Sequence, residues 1–116
     1  MARRLAGLAL VPLILAVVAA AHAEPSAERR DELLYRLRQD CGSCHGMTMK
    51  GGLGPSLLPD AIGWRSDAAL VDIILNGVPG TPMPPWAFEI APDEALWLAR
   101  RLKAGLADAP SLSETR

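Results

Sequence analysis

Cysteine and histidine are scarce in this chain of 116 residues, which has two of each. The two cysteines, Cys41 and Cys44, lie too close together to staple distant parts of a fold, and they are too few for a four-cysteine zinc site. Aromatic residues are sparse as well, with three Trp, one Tyr and one Phe, so any core is modest. Neither sign of charge dominates. Twelve Lys and Arg face 13 Asp and Glu for a formal net charge of −1, and no polybasic surface for nucleic acid is implied. No segment alternates apolar and polar residues as a half-buried strand does, and no internal repeat is visible. At 22% charged and 50% hydrophobic the composition excludes a disordered chain. The length argues for one domain.

Much of the apolar content sits at the start. Arg3 and Arg4 precede an apolar run from Leu5 to Ala21, interrupted only by Gly7 and Pro12, and the run ends in Ala21-His22-Ala23. Basic, then apolar, then small-x-small is the order of a secretory signal peptide. An uncleaved membrane anchor is the alternative, but the run is short for a span and contains Pro12. The expected organisation is therefore a signal segment, 1–23, followed by one domain, 24–116, with no stable membrane span after cleavage. Cleavage after Ala23 removes two of the 12 basic residues and none of the 13 acidic ones, so the charge becomes −3. It also removes His22 and leaves His45 as the only histidine. A domain this small often recruits a disulfide, a metal or a cofactor for stability.

Within that domain the pattern predicts helices. Ser26 to Asp40 reads as the first, with Leu33, Leu34 and Leu37 on one side. Gly42 to Pro59 holds five glycines and two prolines and reads as a loop wrapped around something. Ser66 is a natural N-cap for a helix to Leu75, and Asn76-Gly77 is a stop signal. Val78 to Trp86, with Pro79, Pro82, Pro84 and Pro85, reads as an extended loop. Pro92 suits the first position of a last helix, with Asp93 and Glu94 near its positive end and Gly105 closing it. The tail from Ala107 is polar and expected to fray. The predicted fold class is all-α.

The chemistry is concentrated in Cys41-Gly42-Ser43-Cys44-His45. This Cys-x-x-Cys-His order is the pattern of haem c attachment. Two thiols three residues apart can reach the two vinyl groups on one edge of a porphyrin, and the next residue sets an imidazole beneath the iron. Three other readings compete. A thioredoxin-type dithiol expects a preceding strand and a βαβ context. A zinc site needs four donors where Cys41, Cys44 and His45 offer three. A plain disulfide leaves His45 without a role.

With one histidine in the domain, the second axial ligand is another donor or an open position. Methionine is the usual donor in c-type electron carriers and raises the potential. The candidates are Met47, Met49 and Met83. Met47 and Met49 follow His45 immediately, on its own side of the iron. Met83 stands in Thr81-Pro82-Met83-Pro84-Pro85, a stiff loop able to cross to the opposite face, although an ordinary core methionine is the alternative. The carbonyl of Pro55, in Gly51-Gly52-Leu53-Gly54-Pro55, is a candidate acceptor for the second ring nitrogen of His45. A plain glycine-rich turn would explain the same residues.

Taken together, Cys41 to Gly46, Gly54-Pro55-Ser56-Leu57, Gly80 to Pro84 and the terminal amphipathic helix resemble a class I cytochrome c. The resemblance implies about three to four helices wrapped around one covalently attached haem c. It implies the terminal helices crossing at one haem edge, Pro55 accepting from the ligand His45, and Met83 supplying the distal sulfur. Cofactor-binding residues are then Cys41, Cys44, His45, Pro55 and Met83, with His45 and Met83 on the iron. The family often has a glycine and an aromatic where this chain has Leu33 and Leu37. A wider crossing, filled by Trp97, is expected instead.

The wording of the loops, Cys41 to Pro55 and Asn76 to Trp86, is most similar to the cytochrome c55X group. These cytochromes accompany the cytochrome cd-type nitrite reductase of denitrifying bacteria. The resemblance implies a periplasmic electron-transfer protein rather than an enzyme, with that reductase and an upstream electron donor as partners. A role in maturing the reductase's d-type haem, or a general carrier for another terminal reductase or oxidase, is the alternative. A haem enzyme or gas sensor would need an open iron position.

Overall fold

The computed structural model describes residues 24–106. The signal segment expected at 1–23 and the frayed tail expected from 107 lie outside these residues. Among the described residues there is no strand, so the all-α expectation holds.

The first helix, α1 (Ala27–Arg36), starts where Ser26 accepts a hydrogen bond from the Arg29 N–H at 3.2 Å. It does not stop before the cysteine motif. A π-helical turn, Leu37–Cys41, carries it into α2 (Gly42–His45). The Gly42 N–H reaches back to the Leu37 carbonyl, which fits one extra residue into the turn. Such π turns occur often at functional sites, and this one sets the angle at which the motif leaves α1. The expected loop from Gly42 thus begins only after His45, because tertiary packing of Gly42 outweighs its weak helix propensity.

A short helix missing from the sequence reading, α3 (Pro59–Ile62), has Pro59 in its first turn. The next helix, α4 (Asp67–Asn76), is capped by Ser66, whose side chain accepts from Ala69 N–H at 3.1 Å. The last, α5 (Pro92–Ala104), begins at Pro92 as expected. The Glu94 carboxylate accepts from the Ala91 N–H at 3.0 Å, the acidic half of a capping box.

α5 packs against α4, α3 and α1. Leu33 on α1 and Leu37 in the π turn are buried in one core cluster with Ala95 and Ala99 of α5. Trp97, expected to fill the crossing, is partly buried and packs against the same core. Charge locks the arrangement. Arg29 makes a two-point bond to Glu94, at 2.6 and 3.0 Å, joining the starts of α1 and α5. Asp67 takes bonds from Arg100 at 3.0 Å and Lys103 at 2.8 Å, joining α4 to the end of α5. No helix among the described residues is long and apolar enough to cross a membrane.

Candidate functional site

His45 ends α2, and the loop that follows folds back onto it. The Gly51 N–H bonds the His45 carbonyl and the Gly54 N–H bonds the Cys44 carbonyl, both at 2.8 Å. Carbonyls at a helix C-terminus lack partners within the helix, and this loop supplies them. The same fold brings Pro55 against the ring, where His45 Nδ1 lies 2.7 Å from the Pro55 carbonyl oxygen. A carbonyl only accepts, so Nδ1 carries the proton and Nε2 keeps its lone pair. That leaves Nε2 as the ring's metal-binding atom, with the ring orientation set by the Pro55 bond.

Gly54 was read only as part of a glycine-rich turn, and the structure gives it a closer role. A Cβ at this position would lie 2.8 Å from both Cε1 and Nδ1 of His45. Only the missing side chain lets the backbone approach the imidazole face closely enough for the next carbonyl to meet Nδ1.

Cys41 and Cys44 stand on the helical segment just before His45, and neither forms a disulfide. Cys44 is exposed and Cys41 partly buried. Burial, reinforced by the neighbouring Asp40, pushes the Cys41 thiol up to about 11. A dithiol redox centre needs a depressed thiol instead. Among the described residues no three His, Cys, Asp or Glu side chains converge to hold a metal ion, so the zinc reading has no geometry. What remains is a pair of thiols one turn apart, neither in a disulfide, beside an imidazole whose Nδ1 is anchored. This donor set fits covalent attachment of a haem.

The three methionines separate clearly. Met49 is only 1% exposed and belongs to the core, with a left-handed backbone at φ 61°. Met47 is 58% exposed and its sulfur lies against Gly42, on the motif's own turn. Met83 is partly buried in the proline loop. The Met83 carbonyl accepts from Val78 N–H at 3.2 Å, and its own N–H bonds Thr81 Oγ1 at 3.3 Å. Beyond it, the Trp86 and Ala87 N–H groups bond the Ile74 and Leu75 carbonyls at the end of α4. Gly77 permits this return. Its φ of 68° and ψ of −169° lie in a region that is essentially glycine-only. A Cβ there would come within 2.6 Å of the Met83 carbonyl oxygen.

Residues 28–100 match the family model described as cytochrome c oxidase, cbb3-type, subunit III. The chain is 47% identical over 95 residues to cytochrome c55X of Paracoccus denitrificans, covering 82% of this chain and 91% of that protein. It is 49% identical over 81 residues to cytochrome c55X of Pseudomonas aeruginosa, covering 70% and 68%. The chain belongs to the cytochrome c55X family. A solved structure described as c-type cytochrome NirC superposes with a TM-score of 0.68 at 49% identity, covering 69% of this chain and 94% of that one. This cytochrome also resembles part of a larger protein, the dihydro-heme d1 dehydrogenase of Pseudomonas aeruginosa. The identity there is 40%, over 87% of this chain but only 22% of the dehydrogenase. Membership makes this a monohaem c-type cytochrome of electron transfer with a class I fold, and it implies covalent haem c with its iron.

Proposed function

We propose that this cytochrome is a periplasmic single-electron carrier, exported by its segment 1–23, that donates to a cytochrome cd-type nitrite reductase and is not itself an enzyme. The observation that carries the electron-transfer reading is the His45 Nδ1 contact with Pro55 O at 2.7 Å, next to two unpaired thiols. In this reading Cys41 and Cys44 would hold the haem through two thioether bonds, and His45 Nε2 and the Met83 sulfur would bind its iron. The haem, when bound, supplies a one-electron iron couple. The residues around it are built to stay still. Pro55 fixes the imidazole, Gly77 and four prolines fix the loop of Met83, and little has to move as the charge changes.

The rim of the site supports contact with another redox protein. Residues 41–59 carry a single formal charge, at Lys50, and residues 73–88 carry none. Met47 and Leu53 are exposed there, Leu53 by 92%, whereas Met49 is in the core. An apolar rim suits brief docking, and its lack of charge makes docking weakly dependent on salt. The nitrite reductase enters through the likeness to cytochrome c55X. The test is stopped-flow oxidation of the reduced holoprotein by a cytochrome cd-type nitrite reductase. Transfer faster than nitrite turnover is expected, with a shallow salt dependence; transfer much slower than turnover would sink the donor role.

One observation favours a second reading, in which the cytochrome serves maturation of the d-type haem. A region similar to this chain forms part of a protein named dihydro-heme d1 dehydrogenase. A strain lacking the cytochrome would then accumulate an immature haem. Normal d-type haem with slowed nitrite reduction would favour donation.

A further inference from the structure

Arg36 occupies the last turn of α1, five residues before Cys41. Its guanidinium carbon stands 5.9 Å from the centre of the Trp86 ring. Its Nη1 donates to Asp40 Oδ2 at 3.3 Å and also to the Glu89 carboxylate. The Trp86 ring in turn stacks with Phe88, centroids 6.0 Å apart and planes 17° apart. Two turns earlier on the same helix, Arg29 donates from Nη2 to the Glu89 carbonyl at 2.9 Å. The helix that leads into the cysteine motif therefore grips residues 86–89 at two points. Only Pro84 and Pro85 separate Trp86 from Met83. Two consecutive prolines with fixed φ transmit position rather than absorb it.

We infer that Arg36 is a positioning residue, a cross-brace from the cysteine-motif helix to the segment after Met83 that holds the methionine sulfur at the site. The inference rests on the proposed ligation by Met83. The loop needs such an outside hold because Pro82, Pro84 and Pro85 have no N–H to donate. Its bonds around Met83 are consequently few, at 3.1–3.3 Å for the backbone N–H groups of Val78, Thr81 and Met83. Arg rather than Lys fits the task, since a planar guanidinium can lie on the indole and still reach two carboxylates. The brace is largely local. Arg36 and Glu89 side chains are 28% and 40% exposed, a setting where an ion pair adds little to global stability yet can bias a loop of low local stability.

The test uses covalently loaded holoprotein with Arg36→Ala, Arg36→Lys and Glu89→Gln, and Met83→Ala as the control. Three quantities are read: the red sulfur-to-iron charge-transfer absorption of the ferric form, the rate of carbon monoxide binding to the ferrous form, and the thermal midpoint. Removing the cation–π contact to Trp86 and the ion pair to Glu89 should favour the open loop by roughly tenfold, and speed carbon monoxide binding about as much, in Arg36→Ala. Arg36→Lys should recover part of the wild-type rate, and Glu89→Gln should fall between. If Arg36→Ala does not fold, the latter two decide, each binding carbon monoxide faster than wild type. Wild-type absorption and binding rates in all three variants, even with a lowered thermal midpoint, would overturn the inference and leave Met83 ligation standing. An unchanged six-coordinate spectrum in Met83→Ala would overturn the ligation and the inference with it.

Discussion

The loop after His45 and the loop before Ile90 solve one problem in two ways. Each turns back to cap the helix it has just left. The first bonds the carbonyls of Cys44 and His45, the second those of Ile74 and Leu75. The first is rich in glycine and uses its N–H groups freely, with caps of 2.8 Å. The second is rich in proline, has few N–H groups to use, and caps at 3.0 and 3.2 Å. Glycine allows close approach, so the first loop can press backbone against the imidazole. Proline removes unfolded-state freedom, so the second holds its shape with fewer bonds. The cytochrome thus joins a side tied by many short contacts to a side held by stiffness and by braces from outside.

The sharpest way to break this comparison is to sever each side's proposed link to the haem. Cys41→Ser with Cys44→Ser should abolish covalent retention, so that denaturation and acid acetone extract the haem completely. Met83→Ala should leave the haem attached, remove the charge-transfer absorption and lower the reduction potential, because a sulfur ligand favours the reduced iron. Potentiometry and the spectrum read both. Retention lost in Met83→Ala would reverse the assignment of the two sides.

The two glycines test the loops at the level of backbone. Gly77→Ala combines a glycine-only conformation with a Cβ 2.6 Å from a carbonyl oxygen. It should cost about 3 kcal/mol, read by denaturant unfolding, and should loosen Met83. Gly54→Ala meets a side-chain ring at 2.8 Å, which can turn away. About 2 kcal/mol is expected, with the Pro55 bond lengthened and the shift visible in the imidazole proton resonances. A larger loss at Gly54 than at Gly77 would mean the first loop is the stiffer one.

Much of this was legible from particular residues. Ser66 and Pro92 mark their helices because capping is local chemistry. The spacing of Cys41, Cys44 and His45 is what the proposed haem attachment rests on, and the bond from His45 to Pro55 follows from what an anchored histidine needs. The continuation of α1 through a π turn was not legible, since five glycines after Asp40 resemble a loop and only packing decides otherwise. The places of Met47 and Met49 were hidden for the same reason, as one is exposed and the other buried two residues apart. Arg36 reads in sequence as a solvated charge on a helix face. Its role depends on Trp86 and Glu89, about 50 residues on, a pairing that no local pattern encodes.

The smallest effect lies outside both loops, where Arg29 and Glu94 join the helices that support them. Hydrogen bonding to the Arg29 guanidinium holds the Glu94 carboxyl below its ordinary value of 4.5, against some burial, with help from the Ala91 N–H. A carboxyl lowered in the folded state contributes stability that is fully present above its unfolded pKa and is lost as the pH falls through the folded one. Wild-type protein should therefore hold its thermal midpoint from neutral pH down to about pH 5 and lose it progressively below. Glu94→Gln should be less stable by about 1–2 kcal/mol at neutral pH and nearly level with wild type in strong acid. A thermal midpoint measured from pH 3 to pH 7 reads the convergence. Asp67, lowered by its bonds to Lys103 and Arg100, titrates in the same direction, so Asp67→Asn is the companion that separates the two. Curves that stay parallel down to pH 3 would mean that Glu94 acts through packing and its cap, and that the charge of Arg29 contributes nothing to joining α1 and α5.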